Sequence, residues 1–533
     1  MKRIRPIASL LCLAVIAVAA SVQADEPIKS GSKPEEIAQI IELGKSDNRV
    51  MEHLDHITNR IGPRLTSSDG LTRACEWAVE HFKSMGIENA HMEQWGEFPV
   101  GFERGPWFGR VSAPEDAKQD LMFGTNAWTA GTNGRQIGYA MMLPKTRTEF
   151  EAARERMKGA FVLHERPQRR FGGGRGRRGR GGGENAEQPE QDPDELPVNE
   201  ALEMAREAGA AGLIYPSRVN ERDGELIVTS GNYRLDWENL PTVPSIELLN
   251  TQWQSIAERL NNGDEVELEF DIRNFFKKGP IPLYNVIADI PGTEFPDEYV
   301  IVGGHIDSWD LATGAQDNGT GCSTTFECAR LLMEAGIKPR RTIRFMLWSG
   351  EEQGLLGSRA YVQQNPDVVS KVSAVLVHDG GTNYVSGIRC TSNMIETMNQ
   401  VFAPAMDLDE RTQFTVEEVA ALRGGGSDHS SFISAGAPGF FWAQSGRTSY
   451  NYVHHTQWDT YDSAVPEYQE HSSIVIALGA YGLAQLDEML PRDMMNAPGT
   501  GGRGGRGRGA GRGNRGGNNR GGGNQGGGGG GGF

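Results

Sequence analysis

The chain has 533 residues, a formal net charge of −17 and five cysteines. That length exceeds what one hydrophobic core ordinarily supports, so two folded units with tails are expected, and the acidic balance argues against general affinity for nucleic acid or anionic lipid. Sparse cysteines without metal-ligand spacing exclude a scaffold held chiefly by disulfides, a zinc ribbon and a thiol nucleophile.

In chain order, Met1-Lys2-Arg3-Ile4-Arg5 is a basic start, residues 7–20 form an apolar run too short to span a bilayer comfortably, and Val22-Gln23-Ala24 ends in a small residue. The pattern predicts a signal peptide over 1–24, cleavage after Ala24 and export to a periplasm or beyond the cell, with no transmembrane anchor left. Loss of Lys2, Arg3 and Arg5 takes the net charge to about −20. Ser9-Leu10-Leu11 before Cys12 is a poor lipoprotein box.

Residues 25–110 open a larger domain, with helical spacing over 35–43, 50–61 and 71–85 and stops at Gly62-Pro63 and Gly86. Over 111–273 the texture changes to a small β-rich inserted domain. Strand-like runs at 136–143, 160–164, 213–215 and 266–270 surround one clear helix, 200–208, ending at Gly209. Within it, 167–197 joins an Arg/Gly run to an acidic, Pro-containing stretch and is expected to be disordered.

From 274 to 493 strands alternate with helices: strands at 285–290, 299–302, 342–348, 374–377 and 439–442, helices at 321–335 and 358–364. Apolar strands alternating with helices predict an α/β fold, a mostly parallel sheet covered on both faces. The Gly/Arg/Asn tail, 494–533, has no aromatic residue before Phe533. It is expected to be a solvated linker rather than a specific nucleic-acid tether.

The chemistry is concentrated in Gly304-His305-Ile306-Asp307, Asp317-Asn318, Glu351-Glu352, Asp379 and His454-His455-Thr456. Taken singly, a histidine after a strand is usually structural and Asp-Asn is usually a turn or cap. Here His305, Glu351-Glu352 and Asp379 each follow a predicted strand, where open α/β sheets collect their active sites. Imidazoles and carboxylates converging in this way suit a pair of zinc ions.

Two ions about 3.5 to 4 Å apart need a shared carboxylate, and Asp317, in a Gly-flanked turn before a helix, suits that bridge. His305 and Asp379 are assigned to one ion; Glu352 and one imidazole of the His454-His455 pair are assigned to the other. Glu351 is left free to act as a base on the attacking water. Asp307 is expected to accept the second N–H of His305, and Asp459 to do the same for His455.

The sequences Gly304-His305-Ile306-Asp307-Ser308-Trp309-Asp310, Gly314-Ala315-Gln316-Asp317-Asn318-Gly319, Leu347-Trp348-Ser349-Gly350-Glu351-Glu352-Gln353-Gly354 and His455-Thr456-Gln457-Trp458-Asp459-Thr460 resemble the motifs of the co-catalytic zinc aminopeptidase and glutamate carboxypeptidase family. Gly62-Pro63-Arg64-Leu65 and Asp487-Glu488-Met489-Leu490-Pro491-Arg492 extend the resemblance towards both ends. It implies a three-layer α/β/α zinc-peptidase domain, two zinc ions, and a protease-associated insertion to which 205–214 and 240–246 are similar. It also implies His305, Asp317, Glu352, Asp379 and His455 as ligands, which selects His455 over His454, and Glu351 as base.

Ser427-Asp428-His429 resembles a cleft-lining segment of aminopeptidase relatives. Some of these have an oxyanion-binding tyrosine three residues earlier, where this chain has Gly424. The second oxyanion donor is thus unassigned. The expected activity is that of an aminopeptidase or dipeptidase on short peptides or dipeptides, with a homodimer among the assemblies the fold allows. Competing readings are a glutaminyl cyclase on the same fold and a non-catalytic binding protein of the transferrin-receptor type. The insertion itself is read equally as a substrate gate, a dimer contact or a spacer.

Overall fold

The computed structural model describes residues 27–166 and 192–495. The expected signal peptide, the Arg/Gly run and the tail from residue 496 lie outside the described residues. Among the described residues, no helix is long and apolar enough to cross a membrane.

A twelve-stranded sheet organises the chain. In one half, Gly439–Phe441, Val372–Val377, Phe295–His305 and Arg341–Trp348 lie side by side and parallel. Alternation along these strands sends Val300, Val302, Phe345 and Leu347 into the core shared with Asp69–Ser84, Thr320–Glu334 and Pro466–Ala484. Ile301, Met346, Trp348 and Val375 face the opposite way, packing with Tyr361 and Phe432 from Leu356–Gln364 and His429–Ser434. This is the three-layer α/β/α arrangement.

In the other half Gln136–Met142, Phe161–Leu163, Gly212–Pro216 and Ser245–Leu248 are also parallel. Their two faces are covered by Asn250–Asn261 on one side, and by Arg147–Met157 and Val198–Glu207 on the other. The smaller half therefore carries three helices with its strands, not one. Asn250–Asn261 buries Trp253, Ile256 and Ala257 at helical spacing. Arg147–Met157 starts at a capping box in which Thr146 and Glu149 satisfy each other's backbone N–H.

Two long antiparallel strands, His91–Ala113 and Glu267–Ile290, join the halves. Glu267–Ile290 pairs through Val286–Ile290 with Arg341–Trp348 and through Glu267–Phe270 with Gln136–Tyr139. The expected boundaries at 110/111 and 273/274 thus fall inside continuous strands. Gly96, Pro99, Gly105 and Pro106 read as strand breakers, but they fall at shifts in the register of the long pair, where an extra residue is absorbed by a bulge.

The end of the expected disordered excursion is ordered. Leu196 is buried, its N–H donates to the Lys145 carbonyl at 2.8 Å, and the Asp194 carbonyl accepts from Arg147 N–H at 2.9 Å. One apolar side chain is enough to return 192–197 to the core beside Phe150 and Leu202. The four described cysteines, Cys75, Cys322, Cys328 and Cys390, are free and buried.

Candidate metal centre

His305 ends its strand, Glu351 and Glu352 occupy the turn after Arg341–Trp348, and Asp379 follows Val372–Val377. Asp317 lies in an irregular turn, Ala315–Gly319, that leads into Thr320–Glu334. His455 follows the short helix Tyr450–Val453. These segments meet at one point.

His305 Nε2 stands 3.2 Å from Asp317 Oδ1 and 3.4 Å from Asp379 Oδ1. His455 Nε2 stands 3.3 Å from Asp317 Oδ2 and 3.0 Å from Glu352 Oε2. The two oxygens of Asp317 thus face different imidazoles. His454 Nε2 also approaches Asp317 Oδ2, at 3.8 Å, and its ring lies 3.7 Å from that of His455. His455 is the nearer of the two and alone of the pair pairs with Glu352.

Supporting contacts fix the cluster. Asn318 Nδ2 donates to the His378 carbonyl at 2.8 Å, tying the Asp317 turn to the strand end that carries Asp379. A Cβ on Gly321 would lie 2.2 Å from that same carbonyl, so only glycine permits the approach. Asp307 is fully buried. Its oxygens accept from the N–H groups of Glu351 and Glu352, each at 3.3 Å, and from the Thr66 hydroxyl at 2.8 Å.

The second nitrogen of His305 is 3.0 Å from the Asp307 backbone carbonyl and 3.6 Å from its carboxylate. The main chain of Asp307 is the nearer acceptor for the imidazole, its carboxylate stands within ion-pair distance of the same nitrogen, and that carboxylate also holds the Glu351-Glu352 turn. The expectation for Asp459 is corrected: its carboxylate accepts from Gln316 N–H at 2.6 Å and Asp317 N–H at 3.3 Å, so it braces the Asp317 turn instead of His455.

His455 has a positive φ of 61°, a strained setting for a residue with a Cβ. The smaller half holds it there. Thr229 N–H donates to the His455 carbonyl at 2.8 Å, and Gln457 accepts from Ile227 N–H at 2.9 Å through Oε1. Trp309 sets its ring edge-on to both Trp128 and His455. Replacing Gln457 with leucine leaves the Ile227 N–H unpaired. We expect a loss of about 1–3 kcal/mol and weaker metal retention, read from the melting midpoint and metal content after dialysis. Unchanged values in both would refute this coupling.

Arg64 is a further buried support. It is fully buried, and its guanidinium donates to the carbonyls of Ile306 (2.7 Å), Gly314 (2.8 Å) and Thr313 (2.9 Å), locking the His305 and Asp317 segments together. In the sequence Arg64 and Gln457 lie within motifs that gave them no role, and Thr66 stands in none. A buried arginine bonding carbonyls remote in sequence leaves no periodic signal.

The electrostatics show an excess of negative charge. Burial works against the protonated form of His305, but Asp379 and Glu351 overcome it and hold its pKa well above 6.5. His455 behaves alike under Glu352 and Asp317. Burial raises Glu351 well above the carboxylate range, with Asp379, Asp428 and Glu352 adding to it against the pull of His305. Burial and then the Asp317 charge push Glu352 up to about 7. For His305, His455 and Glu352 the shift favours the protonated form, the direction that a cation among them would reverse. His305 Nε2, Asp317 Oδ2, Glu352 Oε1 and Asp379 Oδ1 are also buried without a hydrogen-bond partner. This donor set fits divalent zinc.

Residues 285–479 match the protein-family model for Peptidase family M28. Over that segment the chain carries a Peptidase M28 domain, and it is a metallo-exopeptidase by class. It is a homologue of carboxypeptidase Q. The Rattus norvegicus protein is 27% identical over 459 residues, covering 86% of this chain and 89% of the relative. The Homo sapiens protein is 25% identical over 472 residues, covering 88% and 92%. Among solved structures, the Peptidase M28 precursor of Shewanella amazonensis SB2B superimposes with a TM-score of 0.59 at 23% identity, over 86% of this chain and 98% of that one. The zinc aminopeptidase BSAP of Bacillus subtilis does so with a TM-score of 0.50 at 18% identity, over 81% and 93%. Both share the fold.

Proposed function

We propose that the protein is an exported, zinc-dependent aminopeptidase or dipeptidase that hydrolyses short peptides with free termini, using two zinc ions per chain. The supporting observation is the division of Asp317, with Oδ1 towards His305 and Oδ2 towards His455. In this reading His305 and Asp379 hold one ion, Glu352 and His455 the other, and Asp317 both. Bound zinc would polarise the scissile carbonyl and acidify water.

The chain's own residues do the rest. Glu351, its side chain 11% exposed and 4.0 Å from His305, stands beside the ligand set without joining it. Asp307 aims it by accepting its N–H. Glu351 takes a proton from the attacking water and returns it to the leaving amine. Burial of His305, Asp317 and Asp379 strengthens the charge interactions among them. Residues 111–273 are read as the protease-associated unit. Their contacts with His455 support a scaffolding part for it rather than that of a spacer.

The test is zinc content followed by a panel of dipeptides and aminoacyl-amides. Two zinc ions per chain and release of free amino acids are expected. One ion per chain, or cyclised N-terminal glutamine as the product, would overturn the proposal. Export is checked by sequencing the mature N-terminus, expected at Asp25.

Zinc binding should also release protons. Glu352 at about 7 and the raised imidazoles carry protons near neutrality that the cation must displace, so affinity rises with pH and falls as pH drops through about 7. Calorimetry of the metal-free protein in two buffers of different ionisation enthalpy reads this directly. Equal heats in both would contradict it.

A further inference from the structure

We infer that a cavity outside the metal cluster binds a small zwitterion with an apolar side chain, a free amino acid or a dipeptide, through His81. The cavity, of about 840 Å³, is lined from Val50–Asp55, Asp69–Ser84 and Thr320–Glu334, and none of the candidate zinc ligands faces it. At its edge the chain widens into a π-helical turn, His56–Ile61, a form that collects at functional sites.

A chain of hydrogen bonds sets the protons along one wall. Glu327 is fully buried, and Arg330 donates to its Oε1 at 2.6 Å and to its Oε2 at 2.9 Å. Burial works against the ionised form of Glu327, but Arg330 and His53 outweigh it and hold the carboxyl below its usual range. Neutral His53 then carries its proton on Nε2, 3.1 Å from Glu327 Oε2, which leaves its Nδ1 as an acceptor. His81 donates to that nitrogen from Nε2 at 3.0 Å, so the lone pair of His81 is on Nδ1. Burial, with His53 and His56 adding to it, pushes the His81 pKa down to about 3, and the imidazole stays neutral. Trp77 fixes the plane of the ring by stacking on it at 4.7 Å, and stacks on His56 at 4.3 Å.

An acceptor oriented in this way recognises a donor. It is not set up for a cation: among the described residues, the groups of three or more candidate metal ligands lie at the catalytic centre, so His81 lacks co-ligands. The other walls complete the description of the ligand. Glu52 is exposed and without an ion-pair partner among the described residues, and it joins His81 in receiving an ammonium. Arg60 is held by Asp55 at 3.1 Å on the surface, a pairing that a ligand carboxylate replaces at little cost. Met51, Met85 and Met333 give an adaptable apolar surface beside Trp77. Ammonium, carboxylate and apolar side chain are the features of an amino acid, and of a short peptide with free termini.

The experiment is calorimetry on the zinc-loaded full-length protein carrying Glu351→Gln to stop turnover, with leucine, leucyl-leucine and N-acetyl-leucine as probes. We expect saturable binding of leucine or leucyl-leucine, the tighter of the two identifying the source. That affinity should fall at least about tenfold in His81→Phe, which keeps the stack and loses the lone pair, and in Met333→Trp, which fills the cavity and leaves the relay intact. N-acetyl-leucine, which has no ammonium, should bind at least about tenfold more weakly than leucine. A saturating phosphinate dipeptide analogue at the catalytic centre should leave the binding unchanged. Absence of saturable binding, equal affinity in both variants, equal affinity for N-acetyl-leucine, or displacement by the phosphinate overturns the inference. If the site binds as expected while the zinc-loaded parent hydrolyses no peptide, the peptidase reading alone fails.

Discussion

Glu351→Gln is expected to retain two zinc ions per chain and lose about 10² to 10⁴-fold in kcat, with KM little changed. The amide copies the shape of the carboxylate, and the N–H that Asp307 holds belongs to the backbone, so the turn should survive. What disappears is the ability to accept a proton from water. Glu352→Gln should behave differently. Its Oε2 lies 3.0 Å from His455 and its other oxygen is buried without a partner, so the loss should appear first in metal content. Steady-state kinetics paired with elemental analysis distinguishes the neighbours. Full hydrolysis by metal-replete Glu351→Gln would remove it from the mechanism.

The largest effect on stability should come from Arg64→Met. The guanidinium also donates to the carbonyls of Gly62 (3.1 Å) and Ile57 (3.4 Å), so five carbonyls lose their donor together. Burial lowers the pKa of Arg64, and the charges around it, Asp459, Asp307 and Asp317 among them, work to keep it protonated. Removing the cation leaves those acids less compensated. A cost of about 3–5 kcal/mol is expected, measured as a lower denaturant midpoint at unchanged slope. Lysine should recover only part of it, because one ammonium cannot reproduce the fork. A loss below about 1 kcal/mol for Arg64→Met would mean that the loops hold themselves.

How much of this was legible in the sequence varies with the physical origin of each feature. His305, Glu351, Glu352 and Asp379 announced themselves because each follows an apolar strand, and strand ends converge in a parallel sheet. The choice between His454 and His455 was open to spacing; distances to Asp317 and Glu352 separate them. The helix Arg147–Met157 went unread because Phe150 and Met157 are its only buried residues, although Thr146 and Glu149 gave a capping signal. Asp459 was misdirected because its acceptors serve backbone N–H groups in a different loop, a pairing that local patterning does not encode.

The long pair His91–Ala113 and Glu267–Ile290 also sets an order for folding. His91 finds its place opposite Ile287, and Ala113 opposite Glu267, so apart from the short pairing of Arg110 and Val111 with Gln119–Asp120 the earlier strand has no mate until nearly all the intervening polypeptide has been made. Until then the edge that Glu267–Ile290 will cover is open to other extended segments. Closing so distant a pairing is entropically slow, and the later strand also hydrogen-bonds to both parallel blocks of the sheet. Assembly of the catalytic half and of its smaller companion is therefore a single late event, completed when one ribbon zips shut.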